Sequence, residues 1–155
     1  MDKKMMIEAV RDAQEGIRKR HGGPFGAVVV KDGQVIGRGH NTVVKDNDPT
    51  AHGEVNAIRN ACKNIDSFDL SGATLYTTCY PCPMCLGAAL WARIEKVYYC
   101  CDSLDAAAIG FADEDFYKFF ENKDKVKELI VRDNESLADC KKLFKEYADS
   151  DKILY

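Results

Sequence analysis

The sequence predicts a three-layer α/β/α sandwich built on one mixed sheet of about five strands. Three observations carry this. Strand-like and helix-like segments alternate along most of the chain, no linker or low-complexity stretch divides it, and no internal repeat is visible. A chain of 155 residues is long enough for one domain with a sizeable core, so residues 1–155 read as a single unit. Hydrophobic residues at 46% and charged residues at 30% are ordinary for a globular protein.

The elements follow in order. Residues 2–20 place Met6, Val10, Ala13 and Ile17 three or four apart, the pattern of an amphipathic helix. His21-Gly22-Gly23-Pro24 breaks it. FGAVVVK and QVIGRG read as two strands joined at Asp32-Gly33 by a tight hairpin turn. A polar loop runs from Asn41 to Asp48, and Pro49 with Thr50 is expected to open a helix continuing through EVNAIRNACK. ATLYTT is β-branched and aromatic, hence a third strand, and Pro81 stops it. PMCLGAALWA, with small residues on its packing face, reads as a helix, and EKVYYCC as a fourth strand. Beyond it the pattern loosens. Residues 104–110 and EDFYKFF read as short helices, KELIV as a strand and LADCKKLFKEYA as a final helix.

Charge and cysteine usage narrow the function classes. Lys plus Arg number 22 against 25 Asp plus Glu, a formal charge of −3 that argues against strong nucleic-acid binding. The N-terminal stretch is charged throughout, and no run approaches the ~20 apolar residues of a membrane span, which predicts a cytoplasmic protein. In that compartment the seven cysteines are expected to be buried or metal-bound rather than paired. Cys62, Cys100 and Cys101 lie in apolar stretches, where a free cysteine behaves as a small core residue.

The chemistry concentrates in two short segments. His52-Gly53-Glu54 stands at the start of one helix and Pro81-Cys82-Pro83-Met84-Cys85 at the start of another, the H-x-E…P-C-x-x-C pattern of zinc deaminases. Cysteines three apart at a helix N-terminus share one face, so both sulfurs reach a single ion. His52 supplies a third ligand, and the fourth tetrahedral position stays open for water, as a catalytic zinc requires. Both helix N-termini aim positive partial charge at the site and favour thiolates. Two thiolates and an imidazole neutralise Zn²⁺ and weaken it as a Lewis acid, so the water needs help with its proton. Glu54, two residues after His52, is placed to take that proton, pass it to a ring nitrogen and then supply the departing amine.

Plainer readings of the same residues fare worse. A structural zinc site wants a fourth Cys or His nearby, and a redox pair has no use for His52 and Glu54. Cys79 extends the run to C-x-x-C-x-x-C, but positions 88 and 89 are alanines, so the iron–sulfur continuation is missing. Cys79 also falls at a strand end on the far side of Pro81. His21 and His40 read as surface or turn residues.

PFGAVVVKDG, NDPTAHGEVNAIR and CYPCPMCLGAALWAR resemble the bacterial guanine deaminases of the cytidine-deaminase-like superfamily. The likeness runs from about residue 22 through most of the chain to its last residue; IGFADEDF at 109–116, the CPMCLGA continuation and the terminal tyrosine favour the guanine branch. The resemblance implies one Zn²⁺ and hydrolysis of guanine to xanthine and ammonia. It implies that Asn41 bonds the purine edge, that Asp113 reads its guanidine-like edge, and that Phe25 and Trp91 wall the pocket. Tyr155 would close over the base, and backbone N–H groups near Gly53 and Cys82 would hold the substrate carbonyl. It implies a homodimer as well, with the 104–155 segment capping a site and exchanged between subunits. Chemistry agrees in part: a carboxylate accepts two parallel N–H bonds, an asparagine both donates and accepts, and a terminal aromatic excludes water.

Two positions depart from the branch. Gly53 stands where alanine is usual, and Tyr80 precedes Pro81 where glutamate is common. Tyr80 removes a charge beside the zinc helix and adds bulk, which leaves the substrate more open than the chemistry. The alternatives are therefore a deaminase of guanosine, cytosine or a related amino-heterocycle, a transfer-RNA adenosine deaminase, or a non-catalytic zinc-stabilised binding protein. The second needs a basic surface, yet residues 121–155 hold eight Lys or Arg against nine Asp or Glu. Glu54 argues against the third.

Overall fold

The computed structural model describes residues 2–154 apart from 112, 132, 134 and 152. Two compact units are present, the first ending at Tyr117 and the second beginning at Lys118. The expected closure by Tyr155 concerns a residue outside those described.

The first unit opens with α1 (Lys3–Arg18), capped by the Asp2 side chain, which accepts from the Lys4 N–H at 2.9 Å. Its buried face is Met6, Ala9, Asp12, Ala13 and Gly16, whereas Val10 and Ile17 are exposed. The helix thus packs through small residues, rotated from the stripe its largest apolar side chains suggest. The strands β1 (Gly26–Lys31) and β2 (Gln34–His40) follow, then β3 (Thr74–Cys79) and β4 (Lys96–Cys101). Their order is β2-β1-β3-β4, with β1 antiparallel to both neighbours and β3 parallel to β4. The sheet is mixed, as expected, with four strands among the described residues. Asp32 and Gly33 both adopt positive φ (51° and 75°), the type I′ geometry that suits the right-handed twist of a hairpin.

Helices cover both faces of this sheet, and β1 shows how. Val28 and Val30 pack with Met6, Ala9 and Tyr76 beneath α1, while Ala27 and Val29 pack with Ala57, Ile58, Ala61 and Leu75 beneath α3 (Gly53–Ile65). A strand with period two turns alternate side chains to each layer. β3, α4 (Pro83–Trp91) and β4 complete a parallel crossover. β4 is an edge among the described strands, which leaves Cys100 and Cys101 exposed rather than in the core.

The approach of α3 to the sheet depends on glycine. A Cβ at Gly37 would press into the Ala57 carbonyl and stand 2.5 Å from the Ala61 nitrogen; at Gly39 it would stand 2.5 Å from the Ala57 nitrogen. Gly37→Ala is expected to cost roughly 1–3 kcal/mol. Thermal unfolding checks this as a fall in Tm of about 2–4 °C for each kcal/mol.

Three local expectations are corrected. α3 begins at Gly53 with His52 as its N-cap, because Asp48 engages the Thr50 N–H and hydroxyl (2.8 and 2.7 Å) and holds Pro49-Thr50 in a turn. The 41–48 loop contains a short helix, α2 (Val43–Asp46). His21 and His40 are partly buried and stacked, with Nδ1 of one 2.8 Å from Nε2 of the other. Burial first, then His21, lowers the His40 pKa from 6.5; Lys19 and Lys45 act in the same sense and Glu15 opposes them. Between its folded and unfolded values the folded chain therefore binds fewer protons than the unfolded chain, so this contribution is complete above the unfolded value and is lost as pH falls from there through the lower folded value. His40→Gln is expected to flatten the decline in Tm between about pH 7 and about pH 5.

After β4 come α5 (Ser103–Ala108), closed by a capping box between Asp102 and Asp105, and α6 (Asp113–Glu121). In the second unit, Asn122 caps α7 (Lys123–Leu129) by accepting from the Asp124 and Lys125 N–H groups. α8 (Leu137–Ala148) follows. KELIV, expected as a strand, lies largely in α7: Lys127 to Leu129 are helical and Ile130 ends the turn. No helix among the described residues is long and apolar enough to cross a membrane.

Candidate active site

The site forms where two helices begin. His52 and Cys82 are the N-cap residues of α3 and α4, both with extended backbone, and Cys85 lies in the first turn of α4. The N-terminal end of α3 packs on that of α4 through Val55, Cys82 and Cys85. The rising strand β3 ends at Cys79, so the loop to Pro83 delivers Cys82 to the carboxyl end of the sheet, where α/β proteins place their ligands. A Cβ at Gly53 would stand 2.9 Å from the Phe25 carbonyl oxygen, so the missing methyl lets α3 start hard against the chain entering β1.

His52 Nδ1 lies 3.6 Å from Cys82 Sγ and 3.5 Å from Cys85 Sγ, and the three ligand atoms all fall within 4.8 Å of one another. Zinc–nitrogen and zinc–sulfur bonds of ordinary length put tetrahedral nitrogen and sulfur ligands about 3.6 Å apart. The donor set fits zinc in type, number and spacing, and it is the only such cluster among the described residues. Cys79 stands outside it. Hydrogen bonding from Cys85, then from His52, lowers the Cys82 thiol to about 4 against the cost of burial, while the bond to Cys82 and burial push the Cys85 thiol up. The His52 pKa is raised, chiefly by its bond to Cys82.

Glu54 is 5% exposed and lies beside Cys85 and Cys82 without joining the ligands. Burial raises its pKa, which favours a group that must hold a proton between two transfers. Bound zinc would lower the pKa of a coordinated water and polarise the reacting carbon.

His52, Glu54 and Cys82 open into a cavity of about 360 Å³, within the usual size of small-molecule sites. Phe25, Asn41 and Asp113 line it, as expected, together with Tyr80, Phe111 and Phe116. Asn41 is 4% exposed and locked: its N–H donates to the Phe25 carbonyl at 2.8 Å, and its Oδ1 accepts the Val43 N–H at 3.1 Å. Its side-chain amide nitrogen has no hydrogen-bond partner among the described residues, and Asn41 is part of the cavity lining. Phe25 meets Phe111 edge-on at 4.9 Å. Asp113 has its carboxyl pKa raised by burial and then by Cys82.

Trp91 is not brought to this cavity. It ends α4, 69% exposed, about 12 Å along the helix axis from the end that bears the cysteines. Gly53 does not line the cavity, but as the first residue of α3 its N–H has no helical acceptor. Phe111, Phe116 and Tyr80 were missed as wall residues. Their aromatic character beside IGFADEDF and Pro81 was the available signal, and it is indistinguishable from core until the chain is folded.

Residues 1–101 match the family of cytidine and deoxycytidylate deaminase zinc-binding regions. The chain belongs to this family of zinc-dependent deaminases. It is accordingly a zinc-dependent aminohydrolase, and His52, Cys82 and Cys85 form a group that could hold the metal. Within the family the chain is 54% identical over 110 residues to a guanine deaminase of Bacillus subtilis, covering 71% of this chain and 70% of that one. It is 36% identical over 124 residues to a tRNA-specific adenosine deaminase of Buchnera aphidicola, covering 80% and 79%. The X-ray structure of guanine deaminase from Bacillus subtilis superposes with a TM-score of 0.85 at 42% identity, covering 99% of this chain and all of that one.

Proposed function

We propose that the protein hydrolyses guanine to xanthine and ammonia. One observation carries the reading: Asp113, Asn41 and Glu54 converge on a single aromatic-walled cavity beside the zinc ligands. Asp113 would accept two parallel N–H bonds from the guanine edge, and the Asn41 amide would donate to a ring acceptor. Phe25 would wall the base, with the Gly53 N–H as a donor to the purine carbonyl. Glu54 takes a proton from the attacking water and delivers it to a ring nitrogen, then takes the second proton from the hydroxyl now on the carbon and gives it to the amine. The water oxygen bonds to the carbon as the carbon–nitrogen bond breaks, and the amine leaves as ammonia.

The similarity to guanine deaminase, which extends over nearly the whole chain, supports the same substrate. The acidic balance of the chain disfavours a transfer-RNA substrate. We also infer a cytoplasmic homodimer in which the 104–155 segment caps a site, Tyr155 included, in its own or the partner subunit. Ammonia release from guanine, guanosine, cytosine, cytidine, adenine and adenosine tests the substrate. Guanine is expected to be turned over fastest; a preference for any other member overturns the assignment while leaving the zinc chemistry in place.

A further inference from the structure

We propose that Tyr117 is a positioning residue for Asp113, clamping the helix that carries it onto the backbone of the zinc loop. Tyr117 lies one helical turn after Asp113 in α6, so the two side chains share a face. The Tyr117 hydroxyl donates to the Pro81 carbonyl at 2.6 Å. Pro81 is buried and immediately precedes Cys82, and its carbonyl lies outside α4 with no backbone N–H partner among the described residues. This bond links the loop that carries Cys82 to the helix that carries Asp113.

None of the described side chains of α6 is buried, and Gly110, shortly before it, sits at φ 95°, the left-handed region that glycine favours. Phe111, against Phe25, anchors the near side; Tyr117 anchors the far side. Tyr80 supports the clamp, its ring 5.8 Å from Tyr117 and edge-on to Tyr99 at 5.0 Å. Burial, then Tyr80, raises the Tyr117 pKa, so the phenol stays a donor at neutral pH. Tyr80, just before Pro81, thus lines the cavity and also packs on the residue that makes the bond.

The proposal rests on the reading of Asp113 as a guanine contact, and a double-mutant cycle on the zinc-loaded full chain separates the two. Tyr117→Phe removes only the hydroxyl. It is expected to lower kcat/KM for guanine about tenfold, mostly through KM, with zinc content and Tm unchanged. In an Asp113→Asn background the same change is expected to alter kcat/KM less than about twofold. Where turnover of that background is too slow, xanthine binding by calorimetry supplies the same cycle. Equal losses in both backgrounds, or no loss in the unaltered chain, overturn the clamp alone. Full guanine activity in Asp113→Asn overturns the reading of Asp113 and the clamp together.

Discussion

Glu54→Gln is expected to keep its full complement of zinc while losing roughly 10³-fold or more of guanine turnover. Glutamine matches glutamate in shape and still occupies the buried space beside Cys85, but it cannot accept a proton. The three ligand atoms belong to His52, Cys82 and Cys85, so the metal is untouched by the change. Nor should the fold suffer, since burial already works against the carboxylate charge. Metal analysis and ammonia release on one sample check both halves. Near-normal turnover with zinc bound would remove Glu54 from the proton path, and loss of zinc would place it among the ligands.

Cys85→Ala is expected to lose zinc and fall to background activity, whereas Cys79→Ala keeps its zinc. Cys85 is fully buried, and no other described side chain is placed to take over its share of the coordination. Cys79 is equally tempting by spacing, but its sulfur lies outside the cluster formed by His52, Cys82 and Cys85. The metal also supports the fold. Free zinc at a thousand times its Kd contributes about 4 kcal/mol, so chelation is expected to lower Tm by roughly 8–16 °C, reversed by added zinc. A stable, active, zinc-loaded Cys85→Ala would break the ligand assignment.

The contrast between the two cysteines shows where reading the chain was enough. The meeting of His52, Cys82 and Cys85 was legible because cysteines three apart at a helix start share a face and the H-x-E and P-C-x-x-C segments both begin helices. The Asp32-Gly33 hairpin was legible because two consecutive positive φ values suit few residue pairs. Misreadings came where a neighbour decides. The apolar stripe of α1 misled because glycine and alanine set its depth against β1, so Val10 and Ile17 turn outward. Cys100 and Cys101 looked like core because the run is apolar, yet a strand with one described partner has a face to expose. Trp91 shared a helix with the ligands but stood at the wrong end of it.

The amino-acid sequence by itself determined the family and its candidate chemistry: three residues able to hold zinc, a carboxylate beside them, and the alternation of strands and helices that presents them. Those properties depend on spacings of a few residues and on donor atoms, and local geometry is all they require. Only the tertiary structure decided the shape of the site. The cavity draws on Phe25, Asn41, Tyr80, Phe111, Asp113 and Phe116, which come from four separate stretches of chain. Their meeting depends on how closely α3 settles on glycine-bearing β2 and on where the Tyr117 hydroxyl finds the Pro81 carbonyl. Contacts between residues far apart in the chain arise from packing, and no local spacing encodes them.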